Sequence, residues 1–227
     1  MKPIPSRSIV AGKLLGAAIF SIAMAYVESA AVVYLRRIND SGTFTINPAP
    51  FDPQIAGIEI GRELATLVML FSVGWVAGKS SRSRFGFALM AFGLWDIFYY
   101  VWLKIFTGWP TTIMDMDLLF LVPLPWWGPV LSPILIAALM SAVGIRMVIL
   151  DNREERFKIK ILNWIALAVG ILLVLYAFMA DAIAVLPANA QILSHIQPGA
   201  FKWPVFLIGF GPGIYGVWQI LFLKKEK

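Results

Sequence analysis

The chain has 227 residues, of which 59% are hydrophobic and only 14% are charged, and its formal net charge is +6. A soluble domain carries about 25% charged residues, so this composition excludes an ordinary soluble domain and indicates a protein that crosses a membrane several times. The absence of cysteine excludes disulfides, thiolate catalysis and cysteine-ligated metal centres. In a membrane protein the distribution of positive charge matters more than its sum, and no nucleic-acid partner is predicted.

Six apolar stretches follow one another along the chain, and each has the ~20 residues that a helix needs to cross a bilayer. Inside lipid every backbone N–H and C=O needs an internal partner, so each stretch is predicted to be a helix. The first stretch is too long for a cleavable signal peptide and contains a glutamate, which predicts an uncleaved anchor. The chain is therefore predicted to form one all-α integral membrane domain, 1–227, a bundle of six helices at 9–35, 58–77, 85–106, 129–150, 161–186 and 203–223.

The basic residues predict the orientation of these spans. Because successive connections alternate sides, most Lys and Arg residues fall on one side: at the N-terminus, in 79–84, in 151–160 and at the C-terminus. The positive-inside rule then places both termini in the cytoplasm, as in a multi-pass protein of the inner (plasma) membrane. Most acidic residues fall in the outer half, and the rule does not explain that bias because acids contribute little to orientation.

Three carboxyl groups lie inside the predicted spans: Glu28 in the first, Glu63 in the second and Asp96 in the third. At ~1.5 Å per residue, Glu28 and Glu63 lie about 10 Å below the outer ends of their helices and Asp96 about 16 Å. An ionisable group in the hydrocarbon layer is costly, so it should face protein or water and mark a functional site. The three are predicted to line an outward-facing acidic and aromatic pocket and to be its catalytic candidates.

Polar and aromatic neighbours accompany these carboxyl groups. Arg62 follows Glu59 by three residues, so the two side chains can pair on one face of the second helix. Two tyrosines follow Asp96 by three and four residues and share its helical face. These groups are predicted to supply countercharge and hydrogen bonds to a bound molecule. The candidate binding residues are Arg62, Glu59, Tyr99, Tyr100, Trp126 and Trp127.

The same residues also fit a purely structural interpretation. In that interpretation Glu28 pairs with Arg62 between two helices, and tyrosine hydroxyl groups hold Asp96. One ion pair needs only one acid and one base, whereas three acids lie on three different helices. The functional pocket is therefore the favoured interpretation, and the structural one stays open.

A proline- and tryptophan-rich segment, LVPLPWWGPVLSP, precedes the fourth span. Its four prolines are incompatible with a continuous helix, because proline breaks a helix outside the first turn. One interpretation of residues 118–128 is a re-entrant piece that caps the pocket, since broken backbone inside a membrane is tolerated only beside protein or water. The favoured interpretation is an interfacial aromatic belt with Trp126 and Trp127 at the depth of the lipid head groups, and the two interpretations are compatible.

The sequence names no cofactor. Glu28, Glu63 and Asp96 are hard oxygen ligands of the kind that Ca²⁺, Mg²⁺ or Mn²⁺ prefers, but no metal-binding motif accompanies them and no metal site is assigned. Nucleotide, haem and quinone signatures are absent. The single histidine, His195, lies in a loop on the outer side, where a solvated side chain is commoner than a ligand.

Three functions fit these features. The favoured one is a subunit or accessory factor of a membrane complex, whose partners are the lipid bilayer and other membrane proteins or a second copy of the chain. The second is a membrane-embedded acid–base enzyme acting on a lipophilic substrate. The third is a small proton- or cation-coupled transporter, which is disfavoured because the inner halves of the spans carry few polar groups.

Overall fold

The computed structural model describes residues 7–39, 53–153, 160–187 and 198–222, and it is mostly helical. Two short strands lie between the third and fourth helices of this part of the chain. In chain order the elements are α1 (Arg7–Asn39), α2 (Pro53–Ala77), α3 (Ser81–Thr107), β1 (Met116–Phe120), β2 (Trp126–Pro129), α4 (Leu131–Asn152), α5 (Ile161–Ala184) and α6 (Trp203–Phe222).

Five of these helices, α1 to α5, are long and apolar enough to cross a membrane. The prediction of a helical membrane protein is confirmed at this level. Large apolar side chains lie on the outside of the helices: Val76 is 81% exposed and Ile161 is 75% exposed. Such a surface suits lipid rather than water. The helix α6 coincides with the sixth predicted stretch, but it is not among the five candidate spans.

The helix α3 lies at the centre of the bundle, where it packs against α1, α2 and α4. The contact with α4 is close because both helices carry glycine at the crossing. A Cβ atom on Gly144 would lie 2.4 Å from the carbonyl oxygen of Gly86, so only glycine permits this approach, as is common between membrane helices. The helices α5 and α6 form a second pair, and α6 also contacts α4.

Both ends of α3 are set by local sequence. The basic turn before it provides a capping box, in which the Ser80 side chain accepts the Ser83 backbone N–H at 3.1 Å and the Ser83 hydroxyl group accepts the Ser80 N–H at 3.0 Å. At the other end Gly108 adopts a left-handed conformation with φ of 76° and donates its N–H to the Lys104 carbonyl. Asp96 lies near the middle of this helix, whose two ends are both capped.

The segment before α4 forms an antiparallel β-hairpin, a structure that the sequence did not predict. Met116 pairs with Pro129 and Leu118 with Trp127, with an irregularity between Leu118 and Phe120. The prolines at 123 and 125 fall in the turn, where no strand partner needs their missing N–H. Pro129 belongs to β2, so α4 begins at Leu131 and not at 129 as predicted.

Candidate functional site

A buried charge cluster connects α1 and α2. Arg62 forms ion pairs with both Glu28 and Glu59, and its Nε donates to Glu59 Oε2 at 2.9 Å. Thr66, one turn further along α2, donates its hydroxyl to Glu28 Oε2 at 3.2 Å. Glu28 is only 8% exposed, so its charge needs this partner. The pairing of Glu28 with Arg62 is the one that the structural interpretation predicted.

Glu63 binds the hairpin rather than another helix. It is 7% exposed, and both of its carboxylate oxygens accept the backbone N–H of Leu121 at 3.1 Å. Leu121 directly follows β1, so Glu63 fastens the hairpin to α2. A charged acceptor makes this a stronger hydrogen bond than one between neutral groups.

Asp96 differs from the other two acids because its carboxylate has no hydrogen-bond or ion-pair partner within the described ranges of the chain. Its side chain is half-buried in the middle of α3. The predicted hydrogen bond from Tyr100 is not formed. Tyr100 instead donates its hydroxyl to Asp117 Oδ2 at 3.2 Å. Asp117 lies close enough to act on Asp96 electrostatically.

Asp117 is a site residue that the sequence analysis missed. It is 2% exposed and is the only buried residue of β1. A carboxyl group in such a position requires a polar partner, and Tyr100 provides one. The signal was present in the sequence as an acid next to the proline-rich segment. It could be interpreted only after the hairpin was known, because the strand directs this side chain towards α3.

A series of aromatic rings runs from α3 across the hairpin to α5. The ring of Phe120 lies 6.5 Å from Trp95 and 5.4 Å from Trp126, between ring centroids. Trp126 stacks on Phe178 of α5, with centroids 6.0 Å apart and an interplanar angle of 9°. Trp95 also lies 6.4 Å from Tyr99. Trp95, the residue before Asp96 in α3, belongs to this series.

The two tryptophans of β2 are packed against protein. Trp127 is 4% exposed and Trp126 is half-buried. In the part of the chain that the structure describes, neither indole N–H has a hydrogen-bond partner, and the same is true of Trp95. A tryptophan of an interfacial belt keeps its N–H near water and lipid head groups. The burial of Trp127 makes it part of the protein interior.

The nine residues predicted for the site form two groups, and Glu63, which acts electrostatically on Arg62 and Glu59 of the first group, links that group to the hairpin. Glu28, Glu59 and Arg62 form the charge cluster, and Asp96 with Tyr100 forms the second group around Asp117. Tyr99 lies between the groups: its carbonyl accepts the Ser29 hydroxyl from α1 at 2.9 Å, and it acts electrostatically on Arg62. Glu63 holds the hairpin, and the two tryptophans, Trp126 and Trp127, belong to that hairpin.

The carboxyl groups do not converge on one metal ion. Over residues 7–39, 53–153, 160–187 and 198–222, no group of three His, Asp or Glu side chains is arranged to hold a metal. Glu28, Glu63 and Asp96 instead face different neighbours. His195 lies outside the described residues.

Comparisons with known proteins give no relative for this chain. No family model matches its sequence. No curated protein matches it, and no solved structure matches its fold. Its function is therefore inferred from the residues of the site.

Proposed function

We propose that this protein is a membrane-embedded acid–base enzyme that acts on a lipophilic substrate, with Asp96 as the group that exchanges a proton with the substrate. The observation that carries the proposal is the lone carboxyl group of Asp96, half-buried in the middle of α3 and without a partner in the described chain. A carboxyl group is rarely left unpaired inside a membrane span unless it has a functional role. Proton transfer is the chemistry that a carboxyl group performs directly.

Asp117 and Tyr100 support this role. Two neighbouring carboxyl groups repel each other when both are ionised, so such a pair is stabilised by sharing one proton. The Tyr100 hydroxyl binds Asp117, so it does not occupy the Asp96 carboxyl group. Asp117 and Tyr100 are therefore positioning residues, and Asp96 is the catalytic one.

The aromatic surroundings favour an apolar substrate. Rings of Trp95, Phe120 and Trp126 offer flat apolar surfaces next to α3. A proton added to an apolar molecule creates a positive charge, which the faces of aromatic rings stabilise. If the substrate returns the proton from a different carbon, the product is an isomer of equal mass.

Glu28 and Glu63 have structural roles in this proposal. Glu28 is neutralised by Arg62, and Glu63 binds a backbone amide of the hairpin. Both groups hold in place the elements that enclose Asp96. We further propose that α6 is a sixth membrane span and that both termini lie in the cytoplasm, as the distribution of basic residues predicts.

The enzyme proposal is tested by comparing lipid extracts of cells that express the wild-type protein and the Asp96→Asn variant. We expect mass spectrometry to show a lipophilic compound converted into an isomer of equal mass by the wild type. We expect conversion to fall at least about 100-fold in the variant, the usual contribution of a general acid or base. Asp181→Asn is the matched control, because Asp181 binds the Gly199 N–H at the end of α5. Identical extracts from wild type and Asp96→Asn would contradict the proposal.

A subunit or accessory factor of a membrane complex is the second candidate function. Gly12 and Gly16 on α1, and Gly57 and Gly61 on α2, are exposed, and a Cβ atom at any of them would have no atom within 4 Å. Glycines spaced by four residues on a free helix face permit another membrane helix to approach closely. Purification in mild detergent followed by native mass spectrometry tests this function. A partner or second copy that Gly16→Leu releases would support it.

A further inference from the structure

We propose that a cleft at the end of the bundle where α3 begins binds the head group of an anionic phospholipid. The cleft has a volume of about 120 Å³ and lies between the first turns of α1, the connection from α2 to α3 and the last turn of α4. It lies far along α3 from Asp96 and shares no residue with the proposed catalytic site. The inference is therefore independent of the proposed enzyme activity.

Two lysines give the cleft its positive charge. Lys13 donates from Nζ to the Ala77 carbonyl at 2.6 Å, which fixes its ammonium group at the cleft. An ammonium group has three N–H donors, so two are left for an anion. Lys79 lines the same cleft and is exposed, and Ser83 contributes to the wall. A phosphate group between the two lysines would contact both charges.

The remaining walls are apolar, which favours a lipid over a free anion. Ile9 and Val10 of α1, Phe87 of α3 and Val148 of α4 line the cleft beside the lysines. A phospholipid presents the same combination, an anionic phosphate next to its glycerol and acyl chains. Free phosphate would gain nothing from the apolar walls.

The position of the cleft agrees with this ligand. The positive-inside rule predicts that this end of the bundle faces the cytoplasm, where anionic lipids are concentrated. Basic pockets between membrane helices on that side are known to receive anionic head groups. Asp151 also lines the cleft, and its negative charge opposes phosphate binding. Removing a lysine charge should therefore weaken the binding of an anionic lipid, and removing the Asp151 charge should strengthen it.

The test measures retention of phosphatidylglycerol and phosphatidylcholine by the full-length protein in detergent, using native mass spectrometry. We expect the wild type to retain phosphatidylglycerol in preference. Lys13→Gln and Lys79→Gln are each expected to raise its apparent dissociation constant about fivefold, the effect of one basic residue near an anionic lipid. Asp151→Asn is expected to lower that constant.

Two variants separate the cleft from general effects. Lys104→Gln removes a lysine at the opposite end of α3, where Nζ binds the Gly108 and Pro110 carbonyls, and it is expected to change nothing. Lys13→Arg keeps the charge and is expected to keep binding, which shows that the loss in Lys13→Gln does not come from misfolding.

Several results would overturn the proposal. One is equal retention of phosphatidylglycerol and phosphatidylcholine by the wild type. Another is an equal loss of binding in Lys104→Gln, which would indicate general attraction of anions to a basic protein. Inorganic phosphate that binds as tightly as phosphatidylglycerol would identify the cleft as a phosphate site and exclude the lipid.

Discussion

Three acids that look alike in the sequence have different environments in the structure. Glu28 meets an arginine, Glu63 meets a backbone amide, and Asp96 has no partner in the described chain. Their depth along the helices follows from the spacing of residues and could be predicted. The pairing of Glu28 with Arg62 could also be predicted. The Leu121 amide that Glu63 binds and the Asp117 carboxyl group near Asp96 could not, because both belong to the hairpin, whose pairing joins residues that no helical period relates.

The charge cluster predicts a large loss of stability when its base is removed. Arg62→Gln leaves Glu28 buried without a countercharge, and we expect the free energy of unfolding to fall by about 3 kcal/mol. Thermal unfolding in detergent measures the change. Glu59→Gln should cost less, because Arg62 still pairs with Glu28. The double variant Glu28→Gln/Arg62→Gln should recover part of the loss, and strictly additive effects would contradict the pairing.

Asp115, in the turn before β1, predicts a pH dependence outside the membrane spans. Slight burial raises the pKa of Asp115, but hydrogen bonds from the side chains and amides of Thr111 and Thr112 outweigh it, so its pKa lies below the ordinary value of 3.8. A lowered pKa stabilises the folded state above pH 3.8, and this contribution is lost as the pH falls through the folded-state pKa.

Because Asp115 lies at the surface and is only partly buried, we expect its contribution to be less than about 1 kcal/mol. Unfolding of the wild type and of Asp115→Asn, measured at neutral pH and near pH 3, tests this prediction. The difference in stability between the two proteins should shrink at the lower pH. A difference that stays constant or grows on acidification would contradict the lowered pKa.

At the scale of elements, the hairpin is the feature that the sequence predicted least well. Its prolines excluded a helix correctly. The strands themselves are only five and four residues long, and such short runs carry no clear alternating pattern. Their stability comes from contacts with the helices, namely the Glu63 hydrogen bond to Leu121 and the Trp126 stack on Phe178.

Glu63→Gln is therefore expected to loosen the hairpin without unfolding the bundle. Loss of a charged acceptor weakens a hydrogen bond by about 1 kcal/mol or more, so amide hydrogen exchange in 116–129 should accelerate about tenfold. Exchange in α5 should stay unchanged, and it serves as the internal control. Uniform acceleration throughout the protein would show that Glu63 supports the whole bundle instead of the hairpin.

At the scale of the whole molecule, the helices were predicted within a few residues of their observed ends. The length of an apolar stretch is enough to predict a membrane-spanning helix, so α1 to α5 could be predicted from the sequence. The arrangement of the helices did not follow, because lipid is as apolar as the side chains and small residues decide which helices meet. The crossing at Gly86 and Gly144 is one such contact.

Because the native chain contains no cysteine, its topology can be tested with single introduced cysteines and a maleimide that does not cross membranes. Met114→Cys is expected to react in intact cells, since Met114 is 53% exposed beside the hairpin. Ser81→Cys should react only after permeabilisation. Lys227→Cys should behave like Ser81→Cys if α6 is a sixth span. Reaction of Lys227→Cys in intact cells would show that the chain crosses five times.

The hairpin contacts two helices, α2 and α5, that make few or no direct contacts with each other in the described chain. It contacts α2 through Leu121 and α5 through Trp126. The hairpin is also bound to α3, through the hydrogen bond from Tyr100 to Asp117, so it connects three helices. Displacement of this one element would therefore break contacts with all three helices at once.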